Sequence, residues 1–166
     1  MFNRRKTLML MSGATLTPAA AFAATPKEVT WEDLIPPGLA YSKIIGQGEL
    51  DLENDTWNPI YDENAVKLNE TLDGVFIKMP GFIIPFETSA EGVSEFMLVP
   101  YVGACIHTPP PPANQLVMVE AAEPWPGDRL WDPVWVIGMM RTRLQSTSLG
   151  QTGYAISAEK MEVYEW

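Results

Sequence analysis

From Gly74 onward the chain is a succession of short β-prone stretches, each cut off by proline or glycine, and this punctuation limits the fold more than any other feature. Val75-Phe76-Ile77-Lys78-Met79 runs into Pro80-Gly81 and resumes as Phe82-Ile83-Ile84. Proline cannot donate to a strand ladder and glycine tolerates unusual dihedral angles, so Pro80-Gly81 reads as a bulge or a bend within a strand. Further strands are predicted over 95–99, 115–120, 133–142 and 153–164. Strands this short and this often bent favour a small closed or half-closed barrel over a flat sheet, because closure removes exposed edges. The expected fold is therefore mainly β, a five- to six-stranded barrel of the oligonucleotide/oligosaccharide-binding type. Ahead of the first strand, Ala65, Leu68 and Leu72 recur at spacings of three and four, which predicts a short helix over 64–72 ended by a turn at Asp73-Gly74.

Residues 24–60 lack such periodicity and read as an irregular lead-in that wraps the outside of the core. Thr30 caps a possible helical turn through Leu34, Pro36-Pro37-Gly38 stops it, and Trp31 or Trp57 offers an anchor. The residues before this have the three parts of an export signal. Arg4, Arg5 and Lys6 precede an apolar run from Leu8 to Leu16, and Ala21-Phe22-Ala23 supplies the small-x-small cleavage pattern. That run is too short to span about 30 Å of hydrocarbon. The domain organisation is then 1–23 signal peptide, 24–60 lead-in and 61–166 β-rich domain. The Arg4-Arg5 pair also suits a twin-arginine signal, so either that route or the Sec route delivers a periplasmic protein. No second apolar segment approaches spanning length, and the mature chain is expected to be soluble.

Charge narrows the choice of partners. Eleven basic residues stand against 21 acidic ones, a net charge of −10, and three of the basic ones lie in the signal. Such a surface repels phosphate backbones, which excludes nucleic acid as an expected partner and leaves cations, basic protein surfaces and neutral ligands.

The chain has one cysteine and one histidine, Cys105 and His107, two residues apart. No intramolecular disulfide is possible, and a lone thiol in an oxidising space is exposed to wrong pairing unless it is buried, metal-bound or used. In extended chain, residues i and i+2 share a face with Cα atoms about 6.5–7 Å apart. A thiolate and an imidazole so placed can share a Zn²⁺ ion, and sulfur with nitrogen also suits copper(I). Two ligands are too few for a structural zinc site. Glu87, Glu95, the side-chain oxygens of Asn114 or Gln115, water or a partner would have to complete the set. The proline run Pro109–Pro112 is expected to stiffen into polyproline II and hold the site away from the sheet. Tyr101, Asn114 and Gln115 flank the pair and are the candidate ligand-binding residues. Two other readings stay open: Cys105 as a nucleophile with His107 as its base, and Cys105 as a small buried residue beside a hydrogen-bonded His107.

Met79-Pro80-Gly81-Phe82-Ile83-Ile84-Pro85-Phe86-Glu87, Glu95-Phe96-Met97-Leu98-Val99-Pro100-Tyr101, and Gly103-Ala104-Cys105-Ile106-His107 with the prolines and Asn114-Gln115 resemble the bacterial exported family called domain of unknown function 3299. The likeness extends to Pro133-Val134-Trp135-Val136 and Gly153-Tyr154, and so covers about residues 65–164. Ile84-Pro85-Phe86-Glu87 departs from the usual Val-Pro-Leu-Glu. The resemblance implies an envelope protein without an assigned activity, in a family found beside genes for transporters and metal homeostasis. Together these readings predict a periplasmic accessory protein that binds a transition metal, Zn or Cu, or an envelope transporter or other membrane complex. The alternative is a thiol-dependent hydrolase or transferase using Cys105 and His107. Ser157-Ala158-Glu159-Lys160 fits the Ser-x-x-Lys pattern of acylating enzymes but lacks the accompanying motifs. Trp125, Trp131 and Trp135 read as packing residues over a barrel mouth more than as a ligand groove.

Overall fold

The computed structural model describes residues 25–51, 56–102 and 110–165, so the expected signal peptide lies outside the described residues. Five strands make the barrel: β4 (Phe76–Pro85), β5 (Val93–Val99), β6 (Val117–Trp125), β7 (Val134–Thr147) and β8 (Gly150–Val163). They follow one another around it as β4-β5-β6-β8-β7, and β7 pairs back onto β4. Only the β6–β8 pair is parallel; the other four contacts are antiparallel. This connectivity is that of an oligonucleotide/oligosaccharide-binding-type barrel, as the strand pattern predicts. A short strand, β1 (Lys27–Glu28), adds in parallel outside β4. A separate hairpin, β2 (Ile44–Asp51) with β3 (Thr56–Tyr61), stands apart from the barrel sheet.

The bend at Pro80-Gly81 is what closes the barrel. Residues 76–81 pair with β7, from Phe76↔Met139 to Gly81↔Val134. Residues 82–85 pair with β5 instead, from Phe82↔Val99 to Pro85↔Phe96. Gly81 sits where the strand changes partner: a Cβ there would lie 2.7 Å from Leu98 Cγ and 2.9 Å from the Val99 carbonyl oxygen. Along β4 the alternation is strict, with Ile77, Met79, Gly81 and Ile83 buried inside. It looks loose in the sequence because the outer face is apolar too. Phe82 and Ile84 pack on that side with Met97, Val99 and Leu116, forming a second cluster.

The lead-in wraps the barrel and is tied to it by side chains. Its first turn is a 3₁₀ turn, Glu32–Leu34, in which Asp33 Oδ2 accepts from both the backbone N–H and the hydroxyl of Thr30. Trp31 is the anchor, its indole N–H donating to the Pro80 carbonyl at 2.9 Å. The helix expected over 64–72 is instead two 3₁₀ turns, Glu63–Val66 and Glu70–Leu72, with extended backbone at Lys67 and Asn69 between them. Asp62 and Asn69 each accept from the backbone N–H two residues on, and such local bonds compete with a continuous helix. The expected turn at Asp73-Gly74 is present, with Gly74 at φ +71° and Asp73 Oδ1 accepting from the Thr142 N–H.

Candidate functional site

Cys105 and His107 lie outside the described residues, in the stretch 103–109. The residues on either side of that stretch are described. Tyr101 and Val102 follow β5 and are exposed, at 42% and 57%. On the other side, Pro110 is half-buried and Pro111 and Pro112 are buried. Pro112 has φ −63° and ψ 159°, within the polyproline II region. The tract therefore packs into the body of the protein and does not stand off from it. The Tyr61 hydroxyl, at the end of β3, donates to the Pro110 carbonyl at 2.8 Å and fixes the tract to the hairpin.

Asn114 and Gln115, candidates for ligand binding, occupy a 3₁₀ turn that faces inward, with 2% and 1% of their surfaces exposed. Asn114 Nδ2 donates to the carbonyls of Asn64 (2.8 Å) and Lys67 (3.2 Å). Gln115 Nε2 donates to those of Trp31 (3.0 Å) and Asn114 (2.9 Å). Asn114 thus ties the turn to the segment around Glu63–Val66, and Gln115 ties it to the lead-in at Trp31. Gly153 lets this turn lie against β8, since a Cβ there would come within 2.8 Å of the Ala113 carbonyl oxygen. Beside it, the buried Tyr154 hydroxyl accepts from the Asn69 N–H at 2.6 Å and donates to the Leu34 carbonyl. Burial pushes the Tyr154 phenol up to about 12.

Tyr101 belongs to a cluster with Tyr41 and Tyr61. Burial, then the charges that Tyr101 and Tyr41 would carry, push the Tyr61 phenol up to about 12. Tyr41 is raised by burial first and by Tyr101 second. Around these rings the surface is apolar. Tyr61 pairs with Ile44 across the hairpin, and Ile60 lies over Gly46, with its Cδ1 3.1 Å from where a glycine Cβ would stand. The ladder slips by one residue between Ile44 and Gly46, so Ile45 is the unpaired residue of a bulge and is 67% exposed. The sequence carries a signal for this hairpin: Ile44-Ile45 and Ile60-Tyr61 flank an acidic, turn-rich stretch. Neither pair shows the alternation that marks the barrel strands, and the sequence reading singled out none of these residues.

A groove of about 470 Å³ runs from this cluster between the hairpin and the proline tract. Its walls are Pro59, Tyr61, Pro110–Pro112 and Leu149, and Asp62 and Glu63 stand on its rim. Among the described residues no group of three or more His, Cys, Asp or Glu gathers as a metal site. Glu87 and Glu95, suggested as completing ligands, are exposed, and Glu95 faces Glu120 across the β5–β6 ladder. The tryptophans do not form a common groove. Trp125 is in the core, Trp135 packs edge-on against Tyr164 at 4.8 Å, and Trp131 is 76% exposed. No helix among the described residues is long and apolar enough to cross a membrane.

The profile of a family described as a protein of unknown function, DUF3299, matches residues 31–163. The chain belongs to the DUF3299 family. The match takes in most of the lead-in as well as the barrel, so Trp31, the hairpin and the proline tract are all within the DUF3299 region. A solved DUF3299 protein from Pseudomonas aeruginosa is 35% identical, with a TM-score of 0.70 over 86% of this chain and 99% of that one. No curated protein matches the chain.

Proposed function

We propose that this DUF3299 protein is an exported, periplasmic accessory protein, not an enzyme, that engages a protein of the cell envelope through its tyrosine-bearing end. One observation carries the reading. Of the large hydrophobic side chains exposed among the described residues, Tyr41, Ile44, Ile45, Ile60, Val66, Tyr101 and Val102 all belong to the hairpin, its flanks or the end of β5, while only Trp131 and Leu144 lie elsewhere. Scattered exposed apolar residues are ordinary, but a concentration around one groove marks an interaction surface. The segment that carries Cys105 and His107 leaves from this surface at Val102 and returns to it at Pro110. A Zn²⁺ or Cu⁺ ion held by those two side chains would need further ligands, and a partner seated on this surface is a source of them.

A photo-cross-linking side chain at Tyr101, introduced in cells that export the protein, tests the reading. The expected result is one discrete adduct in the envelope fraction that disappears when Ile45→Asp is added, with no such adduct from a cross-linker at Glu123 on β6. Equal labelling from both positions, or an adduct indifferent to Ile45→Asp, would overturn it.

A further inference from the structure

Resting on that reading, we propose that the groove between the hairpin and the proline tract takes an extended partner segment bearing lysine or arginine, its charged head at Asp62 and Glu63. The lining is selective by chemistry. Three consecutive residues of one wall, Pro110–Pro112, are prolines, as is Pro59 opposite, and proline has no backbone N–H to offer a ligand. The one phenol, Tyr61, already spends its proton on the Pro110 carbonyl. What remains is mostly apolar wall and acceptor oxygen: among the described residues that line the groove none is a lysine, arginine or histidine, and Gln151 carries the one side-chain amide that could donate. An anion would find few donors there and would face two carboxylates. A long aliphatic stem ending in a cation matches both parts, since such side chains bury the stem and keep the head at a polar rim.

Asp62 already accepts from the Lys43 and Asn64 backbone N–H groups but keeps its charge, and the ion pair at Glu63 is weak. Lys67 approaches Glu63 only to 3.9 Å, with the two side chains 51% and 86% exposed, and a pair so hydrated is readily exchanged. The Tyr61 ring in the wall adds a face on which a cation is favoured. Charge also decides against the other occupants. A second copy of this chain brings its own net −10 to the contact, and an anionic lipid surface is repelled in the same way. A basic, partly apolar strand of a partner meets no such repulsion, and the groove's volume lies within the range of sites that enclose a ligand.

Two blocked heptapeptides, one alternating valine with arginine and one alternating valine with glutamate, test the proposal by titration into the mature protein. The arginine peptide is expected to bind at least about tenfold more tightly than the glutamate peptide, and to weaken as ionic strength rises. Glu63→Gln should weaken it several-fold, and Val66→Trp, which fills the groove from an exposed position, should abolish it without lowering the melting temperature. No preference for arginine, or indifference to both substitutions, would overturn this inference while leaving the Tyr101 cross-link as support for the docking surface. Arginine-peptide binding without that cross-link would uphold the groove and overturn the docking reading. A dimer in sedimentation that Val66→Trp disrupts, or binding to phosphatidylglycerol vesicles through the groove, would also sink the inference.

Discussion

At the scale of single residues, the protein invests its buried polar groups in holding an irregular segment onto a regular one. Tyr154 on β8 bridges the Asn69 N–H and the Leu34 carbonyl, two groups that belong to different turns of the lead-in and its sequel. Tyr154→Phe keeps the ring and strands both partners away from water, so it is expected to cost about 1–3 kcal/mol. Urea denaturation of the two proteins checks this, and an unchanged midpoint would show that water replaces the hydroxyl. The same economy explains Asn114 and Gln115. In the sequence they stand beside the only Cys and His and look like ligand groups, because a polar residue after a proline run carries no mark of burial. What decides their placement is the position of the Asn64, Lys67 and Trp31 carbonyls, which come from segments about 50 to 84 residues away. No local pattern encodes that.

At the scale of elements, the strands were legible and the connections less so. Pro80-Gly81 announces its bend because the two residue types have no other role mid-strand, and the structure gives that bend a purpose, the transfer of β4 from β7 to β5. Gly81→Ala puts a methyl against Leu98 and the Val99 carbonyl, and the backbone member of that pair cannot yield cheaply. The expected loss is about 1–3 kcal/mol, read as a lower melting temperature, with the fold retained by far-ultraviolet circular dichroism. Helical spacing at Ala65, Leu68 and Leu72 misled for a physical reason. These residues do bury or half-bury an apolar face, but Asp62 and Asn69 tighten the backbone into separate turns. The hairpin β2–β3 escaped notice because it is not amphipathic toward a core; its isoleucines face outward. An element whose apolar side chains face outward lacks the pattern by which core elements are recognised.

At the scale of the whole molecule, the acidic balance and the phenols set the response to pH. Tyr61 and Tyr154 hold their protons up to about 12 in the folded protein, against an ordinary value near 10. Because the folded values are raised, the unfolded chain releases these protons first as pH climbs. Their contribution to stability is complete below pH 10 and is lost between pH 10 and 12. Denaturation midpoints measured from pH 8 to pH 12 should fall over that interval, with a shallower fall in Tyr154→Phe. A flat profile would mean that the phenols ionise alike in both states. The barrel class and the acidic balance could both be read from residue order and composition, since each rests on sums over many positions. The tyrosine-bearing end could not, because it is assembled from residues 41–45, 60–66, 101–102 and 110–112, which are far apart in the chain.

Closure of the barrel fixes an order of events. β8 is the last strand in the chain, yet it lies between β6 and β7 and supplies the hydroxyl that holds Leu34, 120 residues earlier. Until residues 150–163 are available, β6 and β7 keep open edges and the lead-in has lost one of its ties. A chain that emerges N-terminus first can therefore gather its early strands but cannot seal them, and the long loops it must close make sealing slow. Were the chain exported as proposed, passage as an unfolded thread would suit it, because the protein would not be locked into its final shape before its tail had crossed. Under the proposed export in folded form, everything up to Val163 would have to be synthesised before transport began.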